Sequence, residues 1–300
     1  MADSSHASTV ISDLPPPTDG RKEFIGRTAS PETVEWFPGL RGHLFAGASR
    51  GAKNLTTFIG SLEIRAQTQF HRHPCSEVVT PLDGDVVALV DNRRYDLRPL
   101  ETIHIPAGIG HAIFAPGNGK KVTIHVALAD ADPKTEFLPR RYGFSNRGLE
   151  PVHKGDPEYI ARREIVESYS LGDGALFKDL FAGRFGTKGI CGGYAEFNPG
   201  GSLPCHIHKY DESITIISGT AICEVAGTRY TMSNNDTALV PTGRPHRFLN
   251  QSAGKMAMVW VYAGDEPERT LQHPGYCVGV THCDICKKNP RETGCAGNCA

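Results

Sequence analysis

The 300-residue sequence lacks a charge surplus: 32 Lys and Arg stand against 33 Asp and Glu, a net charge of −1. Without an excess of either sign, nothing draws the chain generally to nucleic acid or to an anionic membrane. Long apolar runs are missing too. The longest, Val86 to Val90 and Met256 to Tyr262, are strand-length and far below the roughly 20 residues a membrane helix needs. The N-terminus has no basic start followed by an apolar run, so no secretory signal is read and a cytoplasmic location is expected. Also absent are a glycine-rich phosphate loop, a nucleophile elbow and a zinc-protease helix. These absences leave a small molecule as the expected partner, with self-association of the chain left open.

What is present is a repeat. His71, His73, Glu77, Gly84, Pro106, Gly108 and His111 recur as His206, His208, Glu212, Gly219, Pro241, Gly243 and His246, every pair at the same offset along the chain. Upstream, Leu44-Phe45-Ala46-Gly47 reappears as Leu180-Phe181-Ala182-Gly183, with that offset longer by a single position. A duplicated unit follows. Hydrophobic residues at 39% and charged residues at 22% are those of a globular chain, and the length suits two domains.

Each unit reads His-x-His-x3-Glu-x6-Gly, then a fourth histidine inside Pro-x-Gly-x2-His. In an extended strand, side chains at i and i+2 face the same way, so His-x-His is a two-pronged claw. A lone histidine is ordinarily a core or surface residue, but two matching quartets are not explained that way. Three imidazoles and a carboxylate suit a divalent transition ion, whether Fe, Mn, Co, Ni, Cu or Zn, and an octahedral ion would keep two positions open. The ligands are therefore expected to be His71, His73, Glu77 and His111 in one unit and His206, His208, Glu212 and His246 in the other.

On these residues the chain resembles a bicupin, a duplicated member of the cupin superfamily, over roughly residues 30 to 265. The family motifs are G-x5-H-x-H-x3,4-E-x6-G and G-x5-P-x-G-x2-H-x3-N. The second unit fits from Gly200 to Asn250 except for Asn235, where the second motif opens with Gly. The first keeps all four ligands but has Arg65 and Leu100 at the opening glycines and Ala115 at the closing asparagine. The resemblance implies an all-β fold of two tandem jelly-roll barrels. It also implies a metal-dependent enzyme, in first place a dioxygenase with Fe(II) acting on a small enol, diketone or phenol. The alternatives are a non-redox lyase, decarboxylase or isomerase, and a non-catalytic ligand-binding bicupin. Glu212, as ligand or as general base, with Tyr210 and Arg244 beside it, would be the catalytic group, and Arg247 and Asn250 flank the same quartet.

Short β-rich runs separated by turn signals agree with barrels. Thr56 to Arg65, Gly84 to Val90, Glu101 to Ile105 and Lys121 to Leu128 read as strands of the first unit, with turns at Asp83-Gly84, Asp91-Asn92 and Gly117-Asn118-Gly119. The expected organisation is a mobile lead-in over 1–29, barrels over 30–150 and 151–268, and a Cys-rich tail over 269–300. Asp156-Pro157 reads as the start of a short linker helix, and Ser30-Pro31 as another helical turn. Of nine cysteines, Cys277, Cys283, Cys286, Cys295 and Cys299 crowd into that tail. Their Cys-x2-Cys-x8-Cys-x3-Cys spacing predicts either a zinc knot on Cys283, Cys286, Cys295 and Cys299 or a flexible reduced tail, with disulfides disfavoured in a reducing compartment. Cys75, Cys191, Cys205 and Cys223 read as small buried residues, and His104 and His125 as satisfied core histidines.

Overall fold

The computed structural model describes residues 11–30, 33–117, 120–149 and 155–288. Alternating apolar residues turn its strands into two barrels. In the first, a seven-stranded sheet runs in the order Tyr159–Ala161, Thr102–Ile105, Glu77–Asp83, Val122–Leu128, Thr56–Leu62, Leu40–Ala46, Val34–Phe37. It faces a six-stranded sheet ordered Glu136–Phe137, His71–Arg72, His111–Phe114, Val86–Val90, Arg93–Leu97, Ser145–Gly148. Val79, Ile103, Ile124 and Val126 of one sheet meet Val86, Ala88, Val90 and Ile113 of the other in a common core. The second barrel repeats this plan as one continuous twelve-stranded sheet, because Cys191–Ser202 is long enough to pair with Met256–Tyr262 and then, at Ser202, with His246–Leu249.

The cupin turns survive the substitutions that weaken the motif. Gly200 has φ +79°, and its counterpart Arg65 still has φ +63°. Leu100 and Asn235, at the two opening positions of the second motif, both have φ +66°. The left-handed bend is retained at Arg65 and Leu100 with side chains that resist it, at a cost of about 1–2 kcal/mol each, and at Asn235 with one that tolerates it.

Two helical expectations fail. Asp156-Pro157 leads into the strand Tyr159–Ala161, which adds antiparallel to Thr102–Ile105, while Asp156 lies 3.7 Å from Arg93 and 3.6 Å from Arg147. The same Asp-Pro pair serves a turn as well as a helix start. Val34–Phe37 is likewise a strand, paired with Leu40–Ala46, and Pro31 and Glu32 lie outside the described residues.

The lead-in is structured from residue 11 and belongs to the second barrel. Phe24–Gly26 pairs with Thr237–Val240, and Ser12 bridges Gln272. Composition misses this because the segment is fixed by polar anchors and by only two apolar side chains, Phe24 and Ile25, that pack on cores formed elsewhere in the chain. The Arg21 guanidinium grips Asp211 with both Nη atoms, at 2.7 and 2.6 Å, and Asp211, the residue before Glu212, also accepts from the backbone N–H groups of Lys53 and Thr242. Replacing Arg21 by methionine would leave that carboxylate, 1% exposed, without its cation. A loss of about 3 kcal/mol in urea unfolding is expected, the low end for a broken buried pair because two N–H donors remain.

The described part of the tail, which ends at residue 288, docks on the second barrel. Thr270–Leu271 pairs with His206–Ile207, and the short helix Pro274–Val278 packs beside it. Cys205 and Cys277 form a disulfide, contrary to the expectation of free thiols, and Cys286 is disulfide-bonded as well. A four-thiolate knot would need that Cys286 sulfur; Cys283 is free, while Cys295 and Cys299 lie outside the described residues. No helix among the described residues is long and apolar enough to cross a membrane.

Candidate metal centres

Both quartets come together. In each, one nitrogen per histidine and one glutamate oxygen lie within 4.8 Å of one another, and all eight residues are buried. Strand register accounts for it: His71 stands opposite His111, and His206 opposite His246. The Pro-x-Gly turns are tied to the claws by Gly108 N–H donating to the His73 carbonyl at 2.8 Å and Gly243 N–H to that of His208 at 2.9 Å.

The tautomers are set by the backbone. Nδ1 of His71, His73 and His111 faces the carbonyl oxygens of Gln69, Lys134 and Ile109 at 2.7, 2.8 and 3.0 Å. Nδ1 of His206, His208 and His246 faces those of Pro204, Glu268 and Arg244 at 2.8, 2.6 and 2.8 Å. A carbonyl only accepts, so each Nδ1 carries a proton and each Nε2 is the atom turned inward, free to give a lone pair once a cation displaces any proton it shares with the glutamate. Six of six oriented this way is the arrangement of metal ligands.

The acids agree. Burial pushes the Glu77 carboxyl up, but His111, His73 and His71 outweigh it and bring it down to about 2. Glu212 is lowered further by His208 and His246 against the same burial. His111 is raised, Glu77 overcoming burial, and its Nε2 lies 2.8 Å from Glu77 Oε2; the matching His246–Glu212 distance is 2.7 Å. Burial, with the like charge of neighbouring histidines, brings His71 down to about 4 and lowers His206. His208 Nε2, 3.1 Å from Glu212 Oε2, has no aligned hydrogen-bond partner. A divalent cation fits where these ligand atoms now share protons, and the donor set suits one.

The flanking residues are placed differently. The Tyr210 hydroxyl donates to the Glu266 carbonyl and accepts from Glu268 N–H, so it holds the loop whose carbonyl orients His208. Arg244 ion-pairs with Glu23 of the lead-in, and Arg247 with Glu224; both are engaged away from the quartet. Asn250 ties its hairpin together through the carbonyls of Phe197, Asn198 and Gly254. His104 and His125 are core residues but not satisfied ones: among the described residues His104 Nδ1 and His125 Nε2 have no partner. Cys191 and Cys223 are buried, and Cys75 half-buried.

The residues the motifs missed line the second barrel. Met256, Met258, Trp260 and Tyr262 alternate along one strand and face inward, a period of two that the sequence does display. Tyr262 packs on His208 at 4.2 Å between ring centroids, and Trp260 on Tyr262 at 4.8 Å. The first barrel has Val126 and Leu128 there, and Phe37 covers His71 at 4.4 Å.

The cupin domain profile matches twice, at residues 59–127 and 193–262. No curated protein matches in sequence. Among solved structures, the formate complex of Lactobacillus farciminis oxalate decarboxylase superposes with a TM-score of 0.67 at 14% identity, over 86% of this chain and 91% of that one. Oxalate decarboxylase from Bacillus subtilis, in a structure at pH 4.6, gives 0.64 at 15% identity, over 89% and 79%. A further structure of the Bacillus subtilis enzyme, concerned with its Mn(II) centres, gives 0.65 at 15% identity, over 90% and 81%. At these identities the likeness is one of fold.

Proposed function

For a chain made of two cupin domains, a bicupin, we propose a metal-dependent enzyme of the non-redox kind, a lyase or decarboxylase of a small oxygen-bearing substrate, working in the second barrel. The observation that carries the metal reading is the set of six histidines whose Nδ1 atoms all rest on carbonyl oxygens. The two-barrel likeness to oxalate decarboxylases supports the lyase class over the dioxygenase expected from the sequence. When bound, the ion would supply Lewis acidity to a substrate oxygen at its open positions.

The residues of the chain do the rest. His206, His208, His246 and Glu212 fix the ion's place, and the backbone carbonyls fix the histidines. Phe177, Phe197, Met258 and Trp260 exclude water from the inner wall, so a carbanion left by bond cleavage would not meet bulk solvent. Tyr262, whose hydroxyl burial holds protonated, keeps an O–H on the wall beside His208, and the proton that a carbanion takes up would be supplied by water entering as CO2 leaves.

Metal analysis of natively purified protein, followed by headspace CO2 and oxygen-uptake measurements on small oxo and dicarboxylic acids, tests this. Mn or another divalent ion, with CO2 release and no stoichiometric oxygen consumption, is the expected result. Coupled oxygen uptake with Fe would return the dioxygenase, and a protein that binds acids without turning them over would leave the ligand-binding bicupin.

A further inference from the structure

Among the described residues, Arg269 is a buried cation without a counter-charge. The residue is only 6% exposed, its guanidinium lies 5.5 Å over the Phe177 ring, and its one hydrogen bond is a long one of 3.4 Å to the Tyr262 hydroxyl. Nε has no acceptor. Among the described residues no carboxylate lies within ion-pair distance of it. The chain does otherwise when it buries a structural arginine: Arg162, 4% exposed, meets Glu101 at 2.9 Å. A guanidinium in apolar surroundings is costly unless an anion joins it.

Two further donors lie on the same run of side chains. Trp260 Nε1 is buried with no acceptor. The Tyr262 oxygen accepts from Arg269, and among the described residues nothing accepts the Tyr262 proton. These groups form a continuous wall from the quartet outward: His208 to Tyr262 at 4.2 Å, Tyr262 to Trp260 at 4.8 Å, Trp260 to Phe177 at 6.3 Å, then Arg269 over Phe177. Three kinds of donor and no acceptor are the complement of a ligand that is all acceptor.

The first barrel has none of this. Tyr262 stands opposite Glu212 where Leu128 stands opposite Glu77, and Trp260 opposite Ile214 where Val126 stands opposite Val79. Leu271 pairs with His206 as Phe137 pairs with His71, so Arg269 falls where the first barrel has the exposed Thr135. The donors therefore belong to one of two otherwise matching pockets.

We propose that Arg269, Tyr262 and Trp260 form a carboxylate-binding subsite beside the second quartet, and that the substrate is a small carboxylate whose acid group is held there. This rests on the reading that the second barrel is the working one. Arg269 neutralises the acid group with paired N–H donors, and the tyrosine and indole donors complete its shell. Neutral analogues would leave the cation buried and unpaired, which makes the subsite selective for the anion.

The test is calorimetric titration of the full-length protein with pyruvate and benzoate, each against its amide, alongside metal analysis of the same samples. The acids should bind at least about tenfold more tightly than the amides, and Arg269→Gln should weaken the acids by about tenfold to a hundredfold, with Arg269→Lys in between. Metal content should not change. The melting temperature of ligand-free Arg269→Gln should hold or rise, since an unpaired buried charge is gone, whereas a structural arginine would lower it. Acid binding unaffected by Arg269→Gln overturns the proposal. Were that variant not to fold, Trp260→Phe keeps an aromatic ring and deletes one donor: a loss of about threefold to tenfold supports the subsite and no loss overturns it. Arginine-dependent acid binding in protein that holds no metal would sink the metal reading and leave the subsite standing.

Discussion

Glu212→Gln and His246→Ala should each cut turnover by about a thousandfold or more, the several kcal/mol that a positioned ion supplies, while Glu77→Gln and His111→Ala leave at least about a tenth of it. The sequence suggests this asymmetry through the poorer first motif, but the structure gives a better reason. Both quartets are complete and both have carbonyl-oriented histidines. They differ in what faces them. Behind the first lie Val126, Leu128 and Phe58, with Phe37 on His71, an apolar lining where the second barrel has Tyr262 and Trp260. The position of Phe58, opposite Val126, is Gly193 in the second barrel, opposite Trp260. A Cβ at Gly193 would come within 1.9 Å of the Lys178 carbonyl oxygen and 2.9 Å of the indole, so the glycine makes room for both the neighbouring strand and the larger ring. Steady-state rates of the four variants, read with the metal content of each, check the claim. Equal losses from both barrels, or a greater loss from the first, would reverse the assignment.

The metal centres are legible in the sequence because each ligand is fixed by local chemistry: strand parity sets the claw, and the Pro-x-Gly turn sets the fourth histidine. Barrel folding is legible for the same reason, and the left-handed turns persist at Arg65 and Leu100 although their side chains argue against them. What stays hidden depends on partners far along the chain. Phe24–Gly26 is a strand only because Thr237–Val240 offers an edge, and Tyr159–Ala161 only because Thr102–Ile105 does. Arg244 is poised for chemistry by its place in the motif, yet Glu23, from the opposite end of the chain, claims it. Arg269 carries no motif at all. Its meaning comes from the absence of a carboxylate around it, which only a three-dimensional arrangement reveals. The Cys205–Cys277 bridge is similar, since it follows from the tail docking beside His206 rather than from spacing.

Acid should unfold this protein through two histidines that bind no metal. His104 and His125 are buried on strands of the first barrel, each with one ring nitrogen unpartnered, and burial lowers both from 6.5 to about 4. Between those values the unfolded chain takes up protons that the folded chain refuses, so stability rises with pH across the window. It is fully present above about pH 6.5 and lost as pH falls toward 4, by roughly 3 kcal/mol for each histidine at most. His104 sits where the barrels meet: its Nε2 is 3.3 Å from Ser76 Oγ, which also accepts from Lys188 N–H of the second unit. Protonation there would place a charge in the seam that Leu180, Phe181 and Leu239 share with Val78 and Ala127. Urea midpoints taken from pH 7.5 to 4.5 on metal-free protein should therefore fall steeply, and His125→Leu should flatten the slope. A midpoint that stays level over that range, or a slope that His125→Leu leaves unchanged, would show that these rings find proton-accepting partners on folding. His71 and His206, lowered by the same burial, add to the slope in metal-free protein, so the change that His125→Leu makes to the slope is what isolates the core-histidine share.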